Sequence, residues 1–320
     1  MLPAPPLPCV SGYTIEGPLG LGGHGRLFAA VDDATGAPVA IKILHLTDPK
    51  ARARFHDEAR LLSRIRDPHV VAILAFGELD DGRPYIVMER FGDADLSRCT
   101  PSGVPAPLDF VVQMMTQLLS GLAAAHAVGI VHRDVKESNV LLDRGTMRAK
   151  LCDFGIARSA VPLPDQADPT STTVVIGTPH YIAPERYLGV RRDPRSDLYS
   201  AGVVFHRLLT GRLPFDAPGA DSVTVARKAL TEEVPQIVGV PEALVRVCLR
   251  LLSRDLDARF QTAQATLEAL HYAHRFGDDV GQTLDRDLNP LPTGAERAWG
   301  LPAVAIIMAF MGALLWVFWV

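Results

Sequence analysis

The run His132-Arg133-Asp134-Val135-Lys136-Glu137-Ser138-Asn139 brings together a carboxylate, an ammonium two residues later and an amide oxygen three residues beyond that. Such a set can align a hydroxyl and accept its proton, steady a transferring phosphoryl group and offer a ligand to magnesium. Asp153-Phe154-Gly155 follows a short strand and supplies a second oxygen donor. Two donors suffice for magnesium, because the ion keeps waters and phosphate oxygens in its shell. Upstream, Val39-Ala40-Ile41-Lys42 sets a lysine in an otherwise apolar strand. An inward-facing lysine is costly unless paired, and Glu58, on the inner face of the next helix, is the expected partner. Gly20-Leu21-Gly22-Gly23-His24-Gly25 completes the set, since its spacing lets backbone amides approach phosphate oxygens with no Cβ between.

A glycine cluster of this spacing also opens dinucleotide-binding loops, but there it joins a strand to a helix. Here residues 13–19 and 27–31 read as strands on either side of it, and the Gly-Lys-Ser/Thr ending of a Walker A loop is missing. Residues 38–44 form a further strand after the turn-forming Asp32, Asp33 and Gly36. Asp48-Pro49 begins a helix with Glu58, Leu61, Leu62 and Ile65 along its inner face, and 70–76 and 84–89 add two strands. From Phe110 the period changes. Val111, Met114, Met115, Leu118, Leu119 and Leu122 make a helical stripe, short strands follow at 140–142 and 150–152, and helices are expected at 198–209, 244–252 and 263–273. The order is a small sheet-rich lobe, then a larger helical one.

The chain has 320 residues, 48% of them hydrophobic, and a net charge of −4 with both signs scattered. That composition excludes a largely disordered chain and gives no nucleic-acid footprint. Cys9, Cys99, Cys152 and Cys248 are too widely spaced for a zinc knuckle and too few for a disulfide scaffold, which fits a reducing compartment. The opening residues lack the charged start and sustained apolar run of a secretory signal. Residues 301–320 carry no charge. As a helix they would span about 30 Å of hydrocarbon, and being apolar on every face they suit a membrane better than a protein core. Trp299, Trp316 and Trp319 suit the headgroup layers, while Arg286 and Arg297 before the segment favour residues 1–300 on the cytoplasmic side of the cell membrane.

The ordered motifs resemble those of the eukaryotic-like (Hanks-type) serine/threonine protein kinase family, particularly its membrane-attached bacterial members. They are Gly20 to Gly25, Val39 to Lys42, Glu58, His132 to Asn139, Asp153 to Gly155, Gly177-Thr178, Ala183-Pro184-Glu185, Asp197 and Arg259. The resemblance implies an α+β bilobal kinase fold, with a small N-terminal β-sheet lobe carrying one main helix and a larger, mainly helical C-terminal lobe. The corresponding divisions are a flexible start at 1–11, a kinase domain at 12–272 (small lobe 12–88, hinge 89–92, large lobe 93–272), a juxtamembrane linker at 273–300 and a single transmembrane helix at 301–320.

The resemblance also implies a role for each matching position. Leu19, Gly20, Gly22, Gly25 and Leu27 cover the nucleotide ATP, and Lys42, paired with Glu58, contacts its phosphates. Ala40 and Leu141 sandwich adenine beside the gatekeeper Met88 and the hinge residues Glu89 and Phe91, with Asp95 near the ribose. Asp134 orients the hydroxyl or takes its proton, Lys136 steadies the γ-phosphate, and Asn139 and Asp153 hold Mg2+, with Mn2+ as the alternative. Leu62, Leu74, His132 and Phe154 form a hydrophobic spine, Glu185 and Arg259 a buried ion pair, and Asp197 a brace for the catalytic loop. Leu27 stands where the family usually has valine, which slightly reshapes the adenine roof. Lys136 and Thr178 favour protein substrates with serine or threonine over tyrosine. Thr170, Thr172 and Thr173 are candidate autophosphorylation sites, with Arg133 to engage the added phosphate and a homodimer to allow the reaction in trans. The alternatives are a silent nucleotide-binding scaffold at the membrane, disfavoured by the intact catalytic residues, and a metabolite kinase, disfavoured by segment 177–185.

Overall fold

A computed structural model of the chain describes residues 7–22, 25–46, 48–155, 179–190, 192–216 and 221–277. Thr170, Thr172, Thr173, Gly177-Thr178 and the expected membrane segment 301–320 lie outside the described residues.

Strands β1 (Tyr13–Gly22), β2 (Gly25–Asp32), β3 (Pro38–Leu44), β4 (Ile73–Glu78) and β5 (Pro84–Glu89) form an antiparallel sheet in the order β1-β2-β3-β5-β4. The Asp32 carboxylate makes the β2–β3 turn by accepting the N–H groups of Ala34 and Thr35 at 3.0 and 2.9 Å. Alternation along the strands sorts the side chains onto two faces. Phe28, Ala30, Val39, Ile41, Ile43 and Val87 pack together on one, with Val10. Ala40 and Lys42 take the other, opposite Met88 and Ile86.

That second face meets α1 (Pro49–Leu62), where Leu44 and Ile86 pack with Phe55, Ala59 and Leu62. Pro49 opens the helix, and the Asp48 carboxylate accepts the Ala51 N–H at 2.8 Å. The buried line is Ala51, Phe55, Ala59 and Leu62, and Leu61 is 37% exposed. The helix is thus turned away from the expected inner stripe, and Glu58 lies on its flank, half-buried.

The strand expected from residue 70 starts at Ile73 instead. Val70 and Val71 serve the joint between lobes: Val70 bridges Leu151, the Val71 N–H donates to the Leu151 carbonyl at 3.0 Å, and the Leu151 N–H donates to the His69 carbonyl at 2.8 Å. A bulge between Ile73 and Ala75 turns Leu74 outward, 54% exposed, which removes it from the expected spine. Ile73 and Phe76 pack against the α1 cluster, together with Phe154.

The large lobe begins with β6 (Ala94–Asp95), α2 (Leu96–Cys99) and α3 (Leu108–Ala127). Helix α3 buries Val111, Met114, Met115, Leu118, Leu119 and Leu122 at the spacing of one helical face. It is long and apolar enough to cross a membrane, yet more than half of it is buried within this fold. Its Gly121 lies against the joint, where a Cβ would stand 2.6 Å from the His69 carbonyl oxygen. Strands β7 (Val140–Asp143) and β8 (Arg148–Leu151) complete a three-stranded sheet in the order β6-β7-β8. Helices α4 (Pro184–Tyr187), α5 (Arg195–Thr210), α6 (Ser222–Thr231), α7 (Glu242–Leu251) and α8 (Ala263–Phe276) follow. The sequence pattern did not suggest α6, which buries only Val225 and Ala229 and is set by its Asp221 cap. Helix α8 runs past residue 273, the expected start of the linker, and ends at Gly277.

Candidate active site

The loop 132–139, the expected catalytic loop, is held by its backbone. Buried Asp197, in the first turn of α5, accepts the N–H groups of His132 and Arg133 at 2.7 and 2.8 Å and faces His126 Nε2 at 2.9 Å. Desolvation pushes the Asp197 carboxyl up, but the His126 hydrogen bond, the neighbouring imidazoles and the Arg133 N–H outweigh it and hold the acid below its usual range. Arg133 adopts φ 65° and Asp153 φ 58°, left-handed conformations that bulky residues keep only when their surroundings impose them. The buried His132 ring places Nε2 2.9 Å from the Cys152 carbonyl and Nδ1 3.2 Å from the Asp134 N–H. A carbonyl only accepts and an amide N–H only donates, so the proton sits on Nε2 and the ring is neutral. Desolvation lowers the His132 pKa in the same sense. Its ring lies 4.5 Å from that of Phe154.

An unbroken series of contacts joins the chemical groups. Lys42 Nζ lies 2.7 Å from Asp153 Oδ1. The neighbouring Cys152 N–H donates to the Asn139 carbonyl at 2.9 Å. Asn139 Nδ2 donates to the Asp134 carbonyl at 2.8 Å and to Asp134 Oδ2 at 3.1 Å, and Lys136 Nζ stands 3.0 Å from that same Oδ2. With its Nδ2 turned to Asp134, Asn139 has Oδ1 to present elsewhere, the donor a hard cation prefers. Desolvation raises the Asp153 carboxyl, the Lys42 ammonium outweighs it, and the net displacement is downward. The acid is therefore an anion at neutral pH.

Glu58 is placed differently from expectation. Its carboxylate lies 3.8 Å from Arg133 Nη1, whereas Lys42 pairs with Asp153. The rotation of α1 accounts for this, since Phe55, Ala59 and Leu62 take the packed line and Glu58 projects from its edge.

The glycine cluster divides by role. A Cβ on Gly25 would stand 2.2 Å from the Ile43 carbonyl oxygen, while one on Gly20 meets nothing within 4 Å. Gly25 thus permits the close approach of β2 to β3, and Gly20 leaves open space. Gly22 ends β1. Leu27 stands opposite Lys42 and Ala40 opposite Met88 on the inner face; Leu141 is half-buried on β7. Leu19 is 46% exposed.

A family model described as protein kinase domain matches residues 13–272. The chain belongs to the protein kinase domain family. It is 39% identical over 274 residues to the serine/threonine-protein kinase pkn2 of Myxococcus xanthus, covering 82% of this chain and 32% of that protein. It is 35% identical over 283 residues to pkn3 of the same organism, covering 84% and 51%. Against the serine/threonine-protein kinase PknL of Mycobacterium tuberculosis (strain ATCC 25618 / H37Rv) the identity is 35% over 272 residues, covering 81% and 66%. The chain therefore spans from about a third to two thirds of the length of these relatives.

Elsewhere in the kinase domain, Glu185 and Arg259 form a buried pair with Nη1–Oε1 2.8 Å and Nη2–Oε2 3.1 Å. Desolvation raises the Glu185 carboxyl, and Arg259 more than reverses it. The expected hinge residue Glu89 has its backbone N–H bonded to the Ala72 carbonyl at 3.0 Å. Its carboxylate accepts from the Ala72 N–H at 2.7 Å and from Lys150 Nζ at 2.5 Å, and that ammonium lies 4.9 Å from the centre of the Phe91 ring. Sequence reasoning missed Lys150; its place at a buried position of β8 was the available signal. Asp95 caps α2, its Oδ1 accepting from Ser97 Oγ and from the Arg98 N–H, while Arg98 Nε lies 3.2 Å from Oδ2.

Proposed function

We propose that this chain transfers the γ-phosphoryl group of ATP to serine or threonine hydroxyls of protein substrates. The observation that carries the reading is the continuous series from Lys42 through Asp153 and Asn139 to Asp134 and Lys136. Phosphoryl transfer asks little covalent chemistry of a protein and much positioning and charge. Lys42 would meet the phosphates of ATP. Asp134 orients the acceptor hydroxyl and takes its proton, and Lys136, which shares Asp134 Oδ2, balances charge on the transferring group. Asn139 Oδ1 and the Asp153 carboxylate are suited to hold Mg2+, which when bound neutralises charge on the triphosphate. The serine/threonine preference draws on Lys136 and on the names of the relatives.

The finer features belong to the same proposal. Thr170, Thr172 and Thr173 are the autophosphorylation candidates, and a phosphate there would be drawn to Arg133. Two copies of the chain would support that reaction in trans. Residues 301–320 would tether the domain to the cell membrane from its cytoplasmic side. Incubation of the full chain with labelled ATP, Mg2+ and a generic basic protein tests the core reading. Label on serine and threonine, lost in Asp134→Asn, is the expected result; no label on the chain or the added protein overturns it. Mapping the phosphate outside 156–176 would reject the autophosphorylation sites, and recovery of the chain in the soluble fraction would reject the tether.

A further inference from the structure

Glu137 sits between Lys136 and Asn139, in the 3-10 turn Glu137–Asn139, and is 1% exposed. Its side chain takes no part in the series of contacts described above. Tyr181 Oη donates to Glu137 Oε2 at 2.6 Å, and Arg207 Nη1 of α5 stands 3.7 Å from that same oxygen and 3.4 Å from Tyr181 Oη. The other oxygen, Oε1, is buried with no hydrogen-bond partner. As an element of packing this is a poor choice. A buried carboxylate with an unanswered oxygen is costly, and an apolar side chain of similar volume would remove that cost.

What the carboxylate does accomplish is a connection. Tyr181 ends the turn Pro179–Tyr181, two residues before the Ala183-Pro184-Glu185 segment. Its carbonyl is held by Ser200 Oγ at 2.6 Å, so α5 fixes its backbone while Glu137 fixes its ring. On the other side, the Asn139 N–H donates to the Lys136 carbonyl at 3.0 Å, and the Val140 N–H donates to the Glu137 carbonyl. The turn carrying Glu137 therefore also sets Lys136 and Asn139. We infer that Glu137 is a positioning residue: through Tyr181 it keeps residues 179–185 in register with the loop 132–139, so that a peptide hydroxyl meets Asp134 at the right height. A misplacement of about 1 Å at such a centre can cost on the order of a hundredfold in rate. The inference rests on the phosphotransfer reading and names the contact by which a protein substrate is aligned.

Four variants of the full chain test it: Glu137→Leu, Glu137→Gln, Tyr181→Phe and the Glu137→Leu/Tyr181→Phe double. Wild-type phosphotransfer is measured first; its absence would overturn the phosphotransfer reading and this inference with it. Given an active wild type, Glu137→Leu and Tyr181→Phe should each lower kcat/KM for a peptide substrate by about tenfold, with KM for ATP within about twofold of wild type. Glu137→Gln, which keeps an acceptor for the Tyr181 hydroxyl, should recover most of the loss. The double variant should be no worse than either single one, because both delete one connection. A folded Glu137→Leu enzyme with wild-type kcat/KM overturns the inference, as do losses that multiply in the double variant or that fall equally on KM for ATP. Should Glu137→Leu fail to fold, Tyr181→Phe and Glu137→Gln decide, since each alters a single polar group: a Tyr181→Phe enzyme with full peptide kcat/KM sinks the inference.

Discussion

Removing one partner of the Glu185–Arg259 pair should cost far more than removing both. Arg259 is fully buried, and its guanidinium makes five hydrogen bonds. Nε and Nη2 reach the Ser253 carbonyl at 3.1 and 2.7 Å, Nη1 reaches Glu185 Oε1 at 2.8 Å and the Arg195 carbonyl at 2.7 Å, and Nη2 reaches Glu185 Oε2 at 3.1 Å. Glu185→Leu leaves that cation among carbonyl dipoles and the Tyr199 ring, and Arg259→Leu leaves the carboxylate, among the described side chains, with the Ser196 hydroxyl at 2.7 Å. Stranding one buried charge costs about 3–5 kcal/mol, a large part of the ~5–15 kcal/mol by which domains are stable. At roughly 2–4 °C per kcal/mol for a domain of this size, each single variant should melt about 10 °C below wild type. The double Leu variant strands no charge and should lie closer to wild type than either. The acid limb gives a second signature. The folded Glu185 pKa is depressed below its ordinary 4.5, so its contribution is complete above that value and is lost as pH falls through the folded pKa. The stability gap between wild type and Glu185→Leu should therefore be level near neutrality and close in acid. Thermal melts, with denaturant titrations across pH, check all three expectations. Single variants costing under about 1 kcal/mol would refute the claim that the pair is isolated from water.

Other perturbations read the site directly. Asp134→Asn should lower kcat by about a hundredfold or more with little change in ATP affinity, measured by steady-state kinetics beside nucleotide binding. Lys42→Met should abolish most turnover and also raise the pH at which the Asp153 carboxyl titrates, because the ammonium that offsets its desolvation is gone; carboxyl NMR reads this without activity. Gly25→Ala should destabilise by about 1–3 kcal/mol because a backbone oxygen blocks the new methyl, whereas Gly20→Ala, which opens onto free space, should leave the denaturation midpoint nearly unchanged.

Elements bounded by local chemistry could be read from the sequence. β3, β5 and the start of α1 stand at 38–44, 84–89 and 49 because a turn, a proline and an aspartate cap mark them. The acidic and amide groups of the catalytic loop were equally legible, since eight consecutive residues carry them. Features that depend on how one element is rotated against another were not. Glu58 meets Arg133 because α1 packs along Phe55 and Ala59, and Leu74 faces outward because one bulge shifts the alternation of β4. The Glu137–Tyr181 bond joins residues 44 positions apart, beyond the reach of any local pattern.

The Val70–Leu151 bridge carries a mechanical consequence. Short backbone bonds on both sides of Leu151 stitch residues 69–71, which enter the small-lobe sheet, to the strand that leads into Asp153, and Gly121 lets α3 press against that stitch. A stitch of this kind works as a pivot. Were the angle between the two lobes to change, β1 and β2 would travel furthest, while Leu151 and its immediate neighbours would stay nearly still. Any such turn would move the roof of the cleft and leave its floor in place.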